Sequence, residues 1–193
     1  MAQATQVERG RFVWHELMTT DMEAAKAFYQ KVVGWGTQKF GGSSPLTPAE
    51  YTMWTAGQQA VGGVMLLPEE AKAMGAPPHW MAYVSVPDVD ATVEKARSLG
   101  ARVYVEPETI PDVGRFAVLA DPDGAVFAAM TPYGPYREET DPQPLGFSWH
   151  ELFASDWRKA EKFYGELFGW KKQSEFDMGE MGTYYMFGRD RFT

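Results

Sequence analysis

The sequence predicts an α+β fold assembled from repeated βαβββ units. The first observation is a repeat, because Phe-Val-Trp-His-Glu-Leu at residues 12–17 returns at residues 147–152 as Phe-Ser-Trp-His-Glu-Leu. From residue 12 to residue 35, 11 of 24 positions are identical to their counterparts in the second copy. The second observation is the order of a strand, a helix and three strands, which can be followed twice between residues 10 and 131.

The first unit begins with a predicted strand at residues 11–18, which is rich in β-branched and aromatic side chains. Asp21 follows as a helix cap, because its carboxylate can accept the first free amides of the helix. Apolar residues then recur with helical spacing until Gly34, which is expected to end the helix. Three further strands are predicted at residues 35–40, 51–56 and 61–67.

The second unit repeats this order after a connector at residues 68–78. A strand at residues 79–86 is followed by a helix that begins after Asp88 and ends at Gly100. Three strands are predicted at residues 101–106, 115–120 and 125–131. The last two strands are joined by Asp-Pro-Asp-Gly at residues 121–124, which is typical of a type I turn.

The domain organisation follows from these units. We predict one complete domain at residues 10–131, with modules at 10–67 and 79–131, and a proline-rich linker at residues 132–146. The second copy of the repeat would then begin a further domain at residues 147–193, with one incomplete module. This module would comprise the repeated strand, a helix capped by Asp156 and strands at residues 170–176 and 183–187.

Composition narrows the possible classes of function. The chain has 193 residues with 45% hydrophobic content, a formal net charge of −8 and no cysteine. The negative charge argues against nucleic acid or an anionic membrane as a partner. The absence of cysteine excludes disulfides and thiolate ligands, and residues 1–6 lack an apolar signal core. A cytoplasmic protein is expected.

These motifs together resemble the vicinal oxygen chelate superfamily, which includes glyoxalase I, extradiol dioxygenases and bleomycin resistance proteins. The resemblance rests on the strand and Asp cap, on the helix with Phe28 and Tyr29, on the exit at Gly34 and Trp35, and on the turn at residues 121–124. The chain looks most like tandem-domain glyoxalase-like proteins. The resemblance implies that paired βαβββ modules form a half-open mixed sheet barrel with helices packed outside.

The resemblance also implies four metal-ligand positions on the first and last strands of the two modules. In this sequence, those positions hold Trp14, Met81, Ala128 and an aliphatic stretch near Gly63 and Met65. Divalent cations need oxygen or nitrogen ligands, and these residues supply none. We therefore expect no metal and no other cofactor in the first domain. The alternative is a divalent metal held by His79 and Glu16.

Strand alternation predicts which side chains line the concave face of the sheet. The predicted ligand-binding residues are Trp14, Glu16, Trp54, Met65, His79, Met81, Tyr83 and Met130. Such an apolar, polarisable lining with few polar groups is typical of a small-molecule pocket. The competing interpretation is a filled core in which these large side chains only occupy space.

Glu16 is the one candidate catalytic residue. A carboxyl on the inner face of a strand would have its pKa raised by desolvation, and could act as a general base or bind a cationic ligand. The alternative role is a structural hydrogen bond to a neighbouring side chain. His15 and His150 would face the opposite side of the sheet and satisfy a hydrogen bond there.

Two functional classes follow from these residues. The first is a protein that binds a small, partly aromatic molecule in a metal-free cleft, as the resemblance to bleomycin resistance proteins implies. The second is a lyase, isomerase or dioxygenase that uses a metal, or a metal-free acid/base enzyme that uses Glu16. The incomplete module would expose a strand edge, so a homodimer through residues 147–193 is also expected.

Overall fold

The computed structural model describes residues 7–41, 51–134 and 144–189. Eight strands form one sheet: β1 (Phe12–Thr19), β2 (Gly36–Lys39), β3 (Thr52–Ala56), β4 (Gln59–Leu66), β5 (His79–Ser85), β6 (Arg102–Ile110), β7 (Gly114–Ala120) and β8 (Val126–Pro132). The helices are α1 (Met22–Val32), α2 (Glu69–Ala73), α3 (Val89–Ser98) and α4 (Trp157–Phe168), and a separate hairpin contains β9 (Lys171–Asp177) and β10 (Thr183–Gly188). None of the helices in these ranges is long and apolar enough to cross a membrane.

The strand order confirms the predicted fold class. The order is β2-β3-β4-β1-β5-β8-β7-β6. From either edge of the sheet to its centre, the strands are therefore the second, third, fourth and first of one unit. β1 and β5 pair antiparallel at its centre, and each pairs in parallel with the last strand of its own unit. Two βαβββ units are therefore related by an approximate two-fold axis that passes between β1 and β5.

Local signals fix where the helices begin and end. Asp21, Asp88 and Asp156 have extended backbones, and each carboxylate accepts a hydrogen bond from an amide in the first turn of its helix. Each cap contributes about 1 kcal/mol relative to alanine. After α1 the chain reverses at Gly34, whose φ of +85° is accessible to glycine without strain. The predicted caps are confirmed.

The structure differs from the sequence prediction in three places. The predicted connector at residues 68–78 contains the short helix α2, and β6 extends to Ile110 rather than ending at residue 106. Residues 147–152 form no strand, although their sequence repeats that of β1. β1 has a strand on each side, whereas residues 147–152 pair with no strand in the described ranges. Within the predicted linker, residues 135–143 lie outside the described ranges.

The outer face of the sheet carries two apolar clusters beneath the helices. α1 covers a cluster of aromatic and aliphatic side chains that includes Leu17, Trp35 and Trp54. α3 and α4 together cover a second cluster, which contains Val93 of α3 and Phe163 of α4. The helices thus pack on one side of the sheet and leave its concave face for the candidate site.

The two copies of the repeated segment meet in a reciprocal interface on the outer face. The ring of Phe12 stacks on His150 with centroids 3.5 Å apart, and the ring of Phe147 stacks on His15 at 3.7 Å. The two histidines meet through their Nε2 atoms at 2.5 Å.

The tryptophans that follow the two repeated helices complete this reciprocity. Trp35 Nε1 donates to the carbonyl oxygen of Leu145 at 2.6 Å, and Trp170 Nε1 donates to that of Gly10 at 2.8 Å. The two donors occupy equivalent positions of the repeat, and so do the two acceptors. The third unit therefore docks on the first through an approximate two-fold relation.

Burial controls the charge of the histidine pair. Burial, and to a smaller extent the adjacent His150, lower the pKa of His15 from 6.5 to about 3. Burial likewise lowers the pKa of His150 from 6.5 to about 4. Both rings are therefore neutral at pH 7, so one ring can donate its Nε2 hydrogen to the other.

This interface should weaken in acid. Because both pKa values are lower in the folded state, the pair stabilises the protein above pH 6.5 and loses that contribution as pH falls towards 4 and 3. Denaturant unfolding at pH 7 and at pH 5 measures this loss of stability. Between the two pH values, the natural protein should lose about 1 kcal/mol more than the double variant His15→Gln/His150→Gln. This figure allows for the part of each ring that is exposed to water. Parallel stability profiles for the two proteins would contradict this account.

Candidate functional site

The candidate site is on the concave face of the sheet and is centred on β1. Strand register places Glu16 between Gly63 of β4 and Met81 of β5, while Trp14 lies opposite Tyr83. His15 points to the outer face, where it contacts His150. The predicted separation of Glu16 from His15 by strand alternation is confirmed.

Glu16 is a buried carboxyl held by two tyrosine hydroxyls. Its side chain is only 4% exposed, and the Tyr83 hydroxyl donates to its Oε2 at 2.7 Å. The Tyr51 hydroxyl also hydrogen-bonds to the carboxyl and accepts the Nε1 hydrogen of Trp14 at 2.9 Å. We call this set of four side chains, Trp14, Glu16, Tyr51 and Tyr83, the carboxyl network.

The pKa shifts of Glu16 and its two tyrosine partners are those expected for a carboxyl in an apolar environment. Burial raises the pKa of Glu16, and the hydrogen bonds from Tyr83 and Tyr51 oppose that rise. Burial and the neighbouring charge of Glu16 raise the pKa of both tyrosines. The hydroxyls therefore remain protonated and available as donors, whereas Glu16 can exchange a proton nearer to neutral pH than an exposed glutamate.

Gly63 creates the space that brings Tyr51 to Glu16. A Cβ atom at this position would lie 2.0 Å from the Tyr51 hydroxyl oxygen and 3.3 Å from Trp14 Nε1. No residue larger than glycine fits while the hydroxyl keeps its place. The glycine in β4 is thus a structural requirement of the carboxyl network.

Apolar side chains surround the network. Met81, Tyr83 and Met130 belong to one buried cluster, which also contains Phe116 and Ala128, and Trp14 packs against it. Met65 and His79 are partly exposed. Both pair with Met18, which lies two residues beyond Glu16 on β1 and on the same face. Partly exposed side chains thus lie at one end of the face and buried ones around its centre.

Trp54 does not belong to this face. It pairs with Gly62, whereas the inner-facing Gly63 pairs with Met53. Trp54 is fully buried beneath α1, with its ring centroid 5.6 Å from that of Trp35. The prediction that Trp54 shares the concave face is wrong, because it was made without the register between β3 and β4.

Tyr51 is the site residue that sequence reasoning missed. It precedes β3 and was assigned only to a strand, because a tyrosine in such a place is ordinarily a packing residue. The sequence does contain a signal, since Tyr-Thr-Met-Trp at residues 51–54 resembles Tyr-Tyr-Met-Phe at residues 184–187. A comparison of the two copies beyond residue 35 would have suggested both tyrosines.

The donor set on this face does not fit a divalent cation. The four positions considered as ligands hold Trp14, Met81, Ala128 and the aliphatic stretch near Gly63 and Met65. No group of three or more His, Asp or Glu side chains converges in the described residues. Glu16 is the carboxylate at the centre of this face, and both tyrosine hydroxyls already engage it. Hard cations require several oxygen or nitrogen ligands at one point.

His79 does not complete a metal site with Glu16. It pairs with Met18, which places it two residues, or about 7 Å, further along the strands. Its Nδ1 donates to the carbonyl oxygen of Pro77 at 2.7 Å. The alternative of a metal held by His79 and Glu16 has no support in this geometry.

The role assigned to Gly63 can be tested by substitution. Gly63→Ala should expel the Tyr51 hydroxyl and remove its hydrogen bonds to Trp14 and Glu16, which would lower the free energy of unfolding by about 1–3 kcal/mol. Tyr51→Phe removes the same bonds, so the double variant should lose less stability than the sum of the two single losses. Denaturant unfolding measures all three variants.

The matched control for this series is Gly41→Ala, because a Cβ atom there would meet nothing within 4 Å. It should leave stability within about 0.5 kcal/mol of the natural protein. Strictly additive losses for Gly63→Ala and Tyr51→Phe would show that the glycine and the hydroxyl act separately.

Comparison with known proteins shows the family of this chain. The chain is 42% identical over 125 residues to CFP32 of Mycobacterium bovis, which is named as a candidate glyoxylase, and this match covers 65% of the chain and 45% of the relative. It is 36% identical over 122 residues to the anthracycline biosynthesis protein DauV of Streptomyces sp., covering 63% of the chain and 41% of that protein. The chain thus spans less than half the length of these curated relatives.

A solved structure agrees with the fold. The Mn(II)-bound glyoxalase from Novosphingobium aromaticivorans matches with a TM-score of 0.54 and 21% identity, covering 87% of this chain and 55% of that one. The model of the Glyoxalase/Bleomycin resistance protein/Dioxygenase superfamily matches residues 11–128. This chain therefore belongs to the Glyoxalase/Bleomycin resistance protein/Dioxygenase superfamily.

Proposed function

We propose that the concave face of the first domain binds a small, partly aromatic molecule without a metal. The observation that carries this proposal is the carboxyl network, in which Glu16 is buried among apolar side chains and held by two hydroxyls. Burying a carboxyl costs free energy, so a position at the centre of a concave face favours a role in recognition. The methionines and Trp14 supply polarisable surface for an aromatic ring.

The names of two relatives agree with this ligand class. DauV and DnrV, of two Streptomyces strains, are named for anthracycline biosynthesis, and anthracyclines are fused-ring aromatic compounds. Their similarity to this chain extends over 122 residues in each case. A flat aromatic molecule that enters past Met65 and His79 would reach the network from the partly exposed end of the face.

A second candidate function is metal-free proton transfer at Glu16. The raised pKa of this carboxyl favours it, because a general acid or base works best when its pKa is near the working pH. The hydroxyls of Tyr51 and Tyr83 would hold the carboxyl in place as it gains or loses a proton. Glu16→Gln separates the candidates, since it would abolish turnover but only weaken binding.

The ligand proposal predicts a specific pattern in a screen of small aromatic compounds by melting temperature. Compounds that stabilise the natural protein should bind Glu16→Gln about tenfold more weakly, because the substitution replaces a charge-assisted hydrogen bond with a neutral one. Glu23→Gln is the matched control, since Glu23 is exposed on α1 and distant from the concave face. Equal stabilisation of all three proteins would contradict a role for Glu16 in binding.

The metal-free part of the proposal has its own measurement. Protein purified without a chelating tag should contain far less than stoichiometric metal by elemental analysis, both as isolated and after incubation with nickel, zinc, iron or manganese. The reason is the lack of converging oxygen and nitrogen ligands on the concave face of the described residues. Stoichiometric metal that a chelator removes, and that Glu16→Gln no longer binds, would overturn it.

We further propose that two copies of the chain associate through the third unit. In the first domain, β1 pairs antiparallel with its symmetry counterpart β5. Residues 147–152 repeat the sequence of β1 but pair with no strand in the described ranges, and Trp149 and Phe153 are 60% and 93% exposed. The same segment of a second copy can supply the missing antiparallel partner around a two-fold axis.

The expected result is a dimer in light scattering at micromolar concentration. Phe153→Asp should shift the protein to a monomer, because it introduces a charge into the proposed interface. Met74→Asp is the control, since Met74 is 65% exposed and follows α2, outside the third unit. A monomeric natural protein, or equal dissociation of both variants, would overturn the proposal.

A further inference from the structure

Glu16 is a buried carboxyl without a positively charged partner. Its side chain is 4% exposed, and its pKa responds to burial and to two tyrosine hydroxyls, with no Lys, Arg or His among the causes. The ion pairs of the described residues do not include it. A buried charge that lacks a partner is costly, so a positive group that reaches this carboxyl gains from pairing with it.

The carboxyl network leaves part of Glu16 unused. An ionised carboxylate has about four acceptor positions, and the hydroxyls of Tyr51 and Tyr83 occupy two of them. Burial and the neighbouring charge of Glu16 raise the pKa of both tyrosines, so they keep their protons. They therefore hold the carboxylate in place without neutralising its charge.

The side chains around Glu16 suit an organic cation. The hydrogen bonds of the network bring the rings of Trp14, Tyr51 and Tyr83 close to the carboxyl. Aromatic rings attract ammonium groups through their negative faces, most strongly where water is excluded. The same rings and the neighbouring methionines offer apolar surface to the rest of such a molecule.

The partly exposed end of the concave face carries no permanent positive charge that would repel a cation. Met18, Met65 and His79 lie at this end, and His79 is the titratable group among them. The chain as a whole has a formal net charge of −8, which attracts cations and repels anions. Both the entrance and the net charge thus favour a positively charged ligand over a negatively charged one.

We propose that the concave face selects amines. A protonated amino group of the ligand donates to Glu16, and the aromatic or apolar part of the ligand lies against Trp14 and Met65. This inference rests on the proposed function, because it concerns the same site, and it adds the charged group by which the site chooses among aromatic molecules. A neutral hydroxyl can also donate to Glu16, but it leaves the charge of the carboxylate uncompensated.

Two probes of similar size test this preference. 2-Phenylethylamine carries an ammonium group at neutral pH, and 2-phenylethanol has a hydroxyl in its place. Titration of the natural protein, followed by the indole N–H resonance of Trp14, should give about tenfold tighter binding for the amine. Loss of this resonance in Trp14→Phe assigns it. Saturating amine should also lower the pKa of Glu16, because an adjacent positive charge favours the ionised form, whereas the alcohol should not.

Substitution separates the charge of Glu16 from the rest of the site. Glu16→Gln should bind the amine and the alcohol within about twofold of each other, because the compensating charge is gone. Glu23→Gln is the matched control, since it removes the same charge from the exposed surface of α1, and it should keep the preference for the amine.

The outcomes distinguish this inference from the proposed function. Equal affinity of the two probes for the natural protein, or a preference for the amine that survives Glu16→Gln, would overturn the inference. Binding of the alcohol would in either case leave the proposed function standing. Failure of the amine to bind at millimolar concentration would also overturn the inference, and the melting-temperature screen would then decide the proposed function by itself.

Discussion

The placement of β1 between β4 and β5 is the constraint on which the rest of the structure depends. Its parallel pairing with β4 and antiparallel pairing with β5 join two βαβββ units into one sheet. The alternation of side chains along this strand then sends Glu16 to the concave face and His15 to the outer face. This one strand thereby contributes side chains to the carboxyl network on one face and to the interface with the third unit on the other.

The fold could be predicted because its signals are local and repeated. The Asp caps, the glycine at the end of α1 and the apolar periodicity each act within a few residues, and the repeat shows that the same unit recurs. Residues 147–152 show the limit of this reasoning. Their sequence favours a strand as strongly as that of β1, but a strand requires a hydrogen-bonded neighbour, and this neighbour is not determined locally.

The site was predictable only in part, for a related reason. Alternation along β1 and β5 correctly separates the two faces, but the face of Trp54 depends on the register between β3 and β4. The burial of Phe28 likewise depends on packing that the local sequence does not determine. Phe28 is 56% exposed, whereas its counterpart Phe163 is 4% exposed, because α4 packs beside α3 and α1 has no such neighbouring helix in the described residues. Identical sequence therefore does not ensure identical burial.

The carboxyl network depends most directly on the burial of the Glu16 carboxyl. Carbon-13 NMR of the glutamate Cδ atoms, with the resonance assigned by Glu16→Gln, measures its pKa in the folded protein. Burial predicts a value above the ordinary 4.5, and Tyr83→Phe should raise it further by removing a donor to the ionised form. A pKa at or below 4.5 that is insensitive to Tyr83→Phe would show a solvated carboxyl, and would contradict the carboxyl network as the centre of the site.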